Sequence, residues 1–110
     1  MGAPLNVFKT YTANLTTTPE TIYTAPAGHT TVVLLAQVSN ISESEIQVAA
    51  NHVRDSNSTA LVYNIGVPMN DSVNLLSGKL ILETGDSIVV SASANDSAQM
   101  LLSILETLNP

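Results

Sequence analysis

The chain has 110 residues, of which 45% are hydrophobic and only 11% charged, with no Cys, no Trp and a formal net charge of −6 at pH 7. This length fits one domain with one core, and the acidic balance argues against binding to bare nucleic acid or to an anionic membrane, since both rely on cationic patches. The lack of Cys excludes disulfides and thiolate metal sites, and neither a transmembrane span nor a signal peptide is expected.

Short β-branched segments alternate with turn residues along the whole chain, which is the pattern of an all-β domain. Gly and Pro in the turns supply the backbone angles that reverse the chain. The first eight predicted strands cover residues 7–15, 21–24, 31–39, 46–53, 59–65, 73–76, 79–83 and 88–94.

The strand over residues 31–39 has the strongest pattern, because it is apolar on both faces at its start. Alternation predicts an outward face that includes Val33 and Leu35, and a covered outer side or a central place in a sheet. The opposite face is predicted to hold Val32, Leu34, Ala36 and Val38. In residues 59–65 the same alternation places Leu61, Tyr63 and Ile65 together.

Residues 98–108 fit two patterns. Met100, Leu102 and Ile104 suit one face of a strand, interrupted by Glu106, whereas a leucine stripe and the local propensity suit a helix. The all-β context favours a closing strand.

Together the segments predict a single β-sandwich of eight to nine antiparallel strands, with jelly-roll or immunoglobulin-like wiring. Residues 1–9 are predicted to form an extended N-terminal arm, and residues 10–110 the sandwich. The alternative for the arm is a first strand that pairs within its own domain.

Candidate catalytic and metal-binding residues are few. Gly85-Asp86-Ser87-Ile88 matches a short esterase nucleophile motif, but a strand follows Ser87 and both histidines, His29 and His52, precede it, so we interpret the motif as a turn that opens a strand. The histidines and the turn residues Asp71, Asp86 and Asp96 lack the spacing of a metal site. We expect no catalytic residue, no cofactor and no metal.

The low charge is the most informative number, because ordinary soluble domains are about 25% charged. Here 12 Ser, 12 Thr and 10 Asn supply the polarity, and such groups can enter a contact without the cost of burying a charge. We therefore predict that other chains cover much of the surface, with a neutral-surfaced monomer as the alternative. A structural protein of an assembly and a small ligand- or carbohydrate-binding sandwich both remain possible, and the scarcity of aromatic residues favours the first.

Five segments together span nearly the whole domain: YTANLTT at residues 11–17, IYTAPAG at 22–28, VVLLAQVSN at 32–40, KLILETGDSI at 79–88 and LSILE at 102–106. In these segments the chain resembles small virion structural proteins of tailed bacteriophages. The resemblance implies a compact, non-enzymatic β-sandwich, a homotrimer, and a place in the virion after assembly in the host cytoplasm.

Within that group we choose a capsid decoration (cement) protein, which binds at seams between major capsid subunits and stabilises the shell. A neck, tail or fibre-attachment subunit is the alternative. The expected partners are other copies of the chain and the major capsid protein, with no nucleic acid and no membrane. The arm would add a strand to a neighbour's sheet edge. The predicted interface residues are Leu5, Val7 and Phe8 in the arm, and Val33 and Leu35 on the sandwich.

Overall fold

A computed structural model describes residues 6–109. Within this range the chain forms strands and turns, and no helix that is long and apolar enough to cross a bilayer occurs there. The nine strands are β1 (Asn6–Asn14), β2 (Glu20–Thr24), β3 (His29–Asn40), β4 (Ile46–Arg54), β5 (Asn57–Val67), β6 (Ser72–Asn74), β7 (Leu80–Leu82), β8 (Ser87–Ala92) and β9 (Ala98–Leu108).

The strands form two antiparallel sheets. One has the order β1-β9-β3-β6, with β7 paired to the same edge of β3 as β6, and the other has the order β2-β8-β4-β5. The pairing is nested: β1 pairs with β9, β2 with β8, β3 with β6 and β7, and β4 with β5. This is a jelly roll, so the prediction of an all-β sandwich is confirmed and its wiring is the first of the two alternatives.

The core lies between the two sheets, because every second residue of each strand points inward. Tyr11 and Tyr23 face each other across the edge formed by β1 and β2, with ring centroids 5.3 Å apart. In β9 the buried residues follow a two-residue period. The expectation that residues 98–108 form a strand is therefore confirmed. The largest fully buried side chains are Leu15, Leu82, Ile88, Met100, Leu102 and Ile104.

β-Bulges in β3 and β5 break the alternation and change which residues face the core. In β3 the register shifts between Val33 and Leu35, so Val33 turns inward and is 0% exposed. The prediction that Val33 faces outward is therefore wrong, because one extra residue reverses the faces on either side of a bulge. In β5 a similar shift opposite β4 leaves Tyr63 81% exposed, apart from the half-buried Leu61 and Ile65.

Candidate functional site

The outer face of the five-stranded sheet can be defined from the strand register. Phe8, Leu105, Val32 and Ile81 are successive cross-strand partners, so they form one row across β1, β9, β3 and β7. Phe8 is 73% and Ile81 52% exposed. This row makes one end of the outer face apolar, and Leu34 at the bulge adds to it.

The rest of that face becomes polar toward the other end of the strands, but it stays uncharged. Among residues 6–109, no ionisable side chain belongs to the outward rows of this sheet. The outward residues are Asn6, Phe8, Thr10, Thr12 and Asn14 on β1, Gln99, Leu101, Ser103, Leu105 and Thr107 on β9, Thr30, Val32, Leu35, Gln37 and Ser39 on β3, Ser72 and Asn74 on β6, and Ile81 on β7.

A shallow depression of about 580 Å³ lies at the polar end of this face. Amide and hydroxyl groups surround it, and Leu101 contributes an apolar side chain. Such groups both donate and accept hydrogen bonds, so the depression suits a neutral polar partner. It is lined by Thr12, Ala13, Asn14, Gln37, Ser39, Gln99, Met100 and Leu101.

The outer face of the four-stranded sheet is uncharged too, and apart from the exposed Tyr63 on β5 its apolar side chains are small. One row runs through Thr24, Ser87, Val53 and Ser58, and a second joins Ala49 to its partner on β8. The described part of the chain therefore has two outward sheet faces without ionised groups. The charged side chains lie in the loops, at a strand edge, or inside the sandwich.

Asp86 is the buried centre of a charged cluster at one end of the sandwich, and its partner Arg54 is half-exposed. Its carboxylate accepts hydrogen bonds from Arg54 Nε at 2.9 Å, from Arg54 Nη2 at 2.7 Å and from the Glu83 backbone N–H at 2.9 Å. His52 Nε2 lies 3.0 Å from Asp86 Oδ2, and Glu83 Oε2 accepts from Arg54 at 2.9 Å. The bonds from the Arg54 guanidinium are the main reason that the pKa of Asp86 lies well below its usual range.

Glu106 is the second buried carboxylate, and it connects the two sheets. Tyr23 on β2 donates to Glu106 Oε2 at 2.5 Å, Thr31 lies 2.8 Å from the same tyrosine hydroxyl, and Lys9 pairs with Glu106 Oε1 at 2.9 Å. Burial alone would raise the pKa of Glu106, but the bonds from Tyr23 and Lys9 outweigh it and lower this pKa. Burial, followed by the bond to Glu106, raises the pKa of Tyr23.

Neither cluster has the geometry of a hydrolytic site. Ser87 faces outward, where its hydroxyl lies 2.8 Å from that of Thr24, whereas His52 pairs with the inward Ile88 and contacts Asp86. Gly85 has a φ of 89°, and β8 starts at the next residue but one. The interpretation of this motif as a turn that opens a strand is thus confirmed.

His52 contacts one carboxylate, that of Asp86, and His29 is occupied elsewhere. His29 Nδ1 lies 3.0 Å from the carbonyl oxygen of Ala27 within its own turn. Among residues 6–109, no group of three or more His, Asp or Glu side chains is placed to hold a metal ion.

The predicted interface residues are spread over different surroundings. Leu5 lies outside the described residues. Val7 is half-buried on the inward side of β1, whereas Phe8 points outward on the same strand and Leu35 lies in an outward row with Ser103. Val33 is in the core and offers no surface to a partner.

Residues 6–9 of the predicted arm belong to β1 and pair with β9 of the same chain. These four residues therefore follow the alternative given above, a first strand that pairs within its own domain.

No protein-family model matches the chain, and neither does any curated protein sequence. Among solved structures, a chain of Bacillus endospore appendages, which form a family of disulfide-linked pili, has 14% identity and a TM-score of 0.57, with 98% of this chain and 93% of that chain covered.

Two viral structures are also similar. A chain from the acid-stable capsid of Helicobacter pylori bacteriophage KHP30 has 9% identity and a TM-score of 0.60, covering 97% of this chain and 90% of that one. A chain of the IBDV viral particle has 11% identity and a TM-score of 0.58, covering 96% of this chain but 32% of that one. At these identities the likeness concerns the fold, and it shows a β-sandwich that occurs in chains of capsids and pili.

Proposed function

We propose that the chain is a non-enzymatic structural subunit of a virus particle, and specifically a capsid decoration protein that binds at seams between major capsid subunits. The observation that carries this proposal is the absence of charged side chains from both outward sheet faces of residues 6–109. Contacts between chains are depleted in charge at their centre, because burying an unpaired charge is costly.

The shared fold gives the proposal further support. The KHP30 neighbour belongs to a bacteriophage capsid structure and matches this chain over nearly its whole length. The resemblance of the sequence to virion proteins of tailed bacteriophages points the same way and implies a homotrimer. Addition of a β-sandwich across a seam stabilises a shell by adding contact area to both neighbours.

The two buried carboxylates, Asp86 and Glu106, fit this role as well. Both accept hydrogen bonds from side chains of their own chain, which suits a structural role. A neck, tail or fibre-attachment subunit on the same fold is the alternative position in the virion.

The pilus neighbour suggests a filament subunit as a second candidate, since it covers 98% of this chain. Those pili are disulfide-linked, and this chain has no Cys. A filament of this chain would therefore need non-covalent contacts throughout, and we favour the particle.

Quantitative mass spectrometry of purified virions from the phage that encodes this chain tests the proposal. We expect a copy number that follows that of the major capsid protein, and virions made without the chain should release their genome at a lower temperature until recombinant chain is added back. A few copies per particle would assign the chain to the neck or tail. If purified wild-type virions contain no copy of the chain, the proposal is wrong.

The arm is tested by removing residues 1–5 alone, because a longer deletion would remove paired residues of β1 and the ion pair of Lys9 with Glu106. If these residues add a strand to a neighbour, the truncated chain should keep its melting temperature and bind particles more weakly. Unchanged particle binding would exclude the arm.

A further inference from the structure

We infer that the outer face of the five-stranded sheet is the contact between two copies of this chain, related by a two-fold axis that runs along the strands between β9 and β3. This inference rests on the proposed function in one respect, that the chain works as part of an assembly. It names the surface, the occupant and the symmetry of one contact within that assembly.

The chemistry of the face favours a second copy as its occupant. Each copy has a net charge of −6, so two copies repel each other wherever their ionised groups meet. On this face the described outward residues are apolar, amide or hydroxyl groups. Amides and hydroxyls are donors and acceptors at once, so a surface made of them is complementary to itself.

The order of the rows sets the direction of the axis. A two-fold axis parallel to the strands lays each row on the same row of the partner copy, with the strand order reversed. Phe8 on β1 then faces Ile81 on β7 of the other copy, and Leu105 faces Val32, so the apolar end meets an apolar end. An axis across the strands would instead lay the apolar row on the polar one.

The four-stranded sheet is less suited to this contact. Its outward rows carry mainly Ser, Thr, Ala, Val and Asn. Among the described residues of this sheet, Tyr63 on β5 is the one exposed large hydrophobic side chain. Half of the large hydrophobic side chains that the described chain exposes lie on the five-stranded face or at its bulge: Phe8, Leu34, Ile81 and Leu101.

The size of the face is sufficient for a specific contact. Four strand positions at about 4.8 Å and nine residues at about 3.3 Å give roughly 19 by 30 Å, or about 600 Å² on each copy. The total of about 1,200 Å² reaches the lower limit for stable, specific interfaces. Face-to-face pairing does not close a ring, so it would join two monomers, or two trimers into a hexamer.

The first experiment measures mass in solution by sedimentation equilibrium on the full chain. We expect an even number of copies, and a mass halved in Ile81→Glu with at least a tenfold weaker association, because a carboxylate would be buried opposite Phe8. Tyr63→Glu is the matched control, since it adds the same charge at an exposed aromatic of the other sheet, and it should keep the wild-type mass. A wild-type mass of one or three chains, or an Ile81→Glu variant with the wild-type mass, would overturn the inference.

The second experiment avoids any change in charge. Ser103 lies on β9 next to the inferred axis, and the natural chain has no Cys, so Ser103→Cys places one thiol there. A short bis-maleimide should link Ser103→Cys into dimers and should link Ser91→Cys, at a matched outward position of β8, far less. Equal or greater linkage of Ser91→Cys would place the contact on the other sheet.

These results separate the inference from the proposed function. A chain that is present in virions but has one or three copies in solution contradicts the inference alone, and an even oligomer absent from virions contradicts the proposed function alone. If a neutral oligosaccharide occupies the depression near Leu101 in a monomeric wild-type chain, the face is a sugar site and the inference is wrong.

Discussion

Asp86 holds together the turn before β8 and the end of β4. It is buried, and its carboxylate has two bonds from Arg54, one from the Glu83 backbone and a contact with His52. Asp86→Asn places an amide N–H₂ among these donors. We expect a loss of about 1–3 kcal/mol in the free energy of unfolding, measured by chemical denaturation, since several donors lose a charged acceptor at a buried position. Asp55→Asn, an exposed change in the neighbouring β4–β5 turn, is the control and should lie within about 0.5 kcal/mol of wild type.

The same carboxylate predicts how stability depends on acid. Because the pKa of folded Asp86 lies below that of an unfolded aspartate, its contribution is fully present above about pH 4 and is lost as the pH falls toward the folded pKa. The unfolding free energy of the wild type should therefore fall below about pH 4, and that of Asp86→Asn should fall less. Glu106 also has a lowered pKa, so the variant keeps part of the slope. Parallel curves for the two proteins would contradict the assignment.

Tyr23 connects the two sheets through its hydroxyl, which donates to the buried Glu106 and contacts Thr31. Tyr23→Phe removes this donor and leaves the carboxylate with the bond from Lys9. We expect a loss of about 1–3 kcal/mol in unfolding free energy. Tyr63→Phe deletes the same hydroxyl at an exposed position and should leave the melting temperature unchanged. If the two variants melt alike, the bridge between the sheets contributes nothing measurable.

Among the structural elements, the turn between β7 and β8 depends on one glycine. Gly85 has a φ of 89°, which side chains disfavour, and nothing lies within 4 Å of the place where a Cβ would be added. Gly85→Ala should therefore destabilise the fold by roughly 1–2 kcal/mol through backbone strain alone. Gly78→Ala meets equally open space without a positive φ, so thermal denaturation should show no loss there. Equal melting temperatures would contradict the argument from strain.

The strands and their order along the chain could be predicted, because two-residue periodicity and turn residues are both visible within a few neighbouring residues of the sequence. The inward face of β9 was legible in Met100, Leu102 and Ile104 even though helix propensity competed. The bulge in β3 could not be predicted, because Val32-Val33-Leu34-Leu35 is apolar on both faces. A shift by one residue there costs no hydrophobic burial and leaves no sign in the sequence.

The charged clusters escaped prediction for a different reason. Asp86 looked like an ordinary turn residue, since its partner Arg54 lies 32 positions away and only the nesting of the strands brings them together. Glu106 did leave a signal, as a carboxylate within an apolar face. A charge at an inward position implies a buried partner, and Tyr23 is that partner across the sheets.

At the scale of the whole molecule, the separation of charge from the sheet faces has a consequence for association. The described acidic loop residues lie in the connections between strands, and the inferred contact has no acidic residue. Salt screens the repulsion between two copies of charge −6. Because the inferred contact contains no ion pairs, salt does not weaken any attraction within it. We therefore expect the dissociation constant of self-association to stay constant or to fall as NaCl rises from about 50 to about 500 mM. Sedimentation of the wild type and of Tyr63→Glu across that range measures it, and the added charge outside the contact should not change the trend. A dissociation constant that rises tenfold with salt would mean that ion pairs hold the copies together, and would place the contact at the loops instead of the sheet.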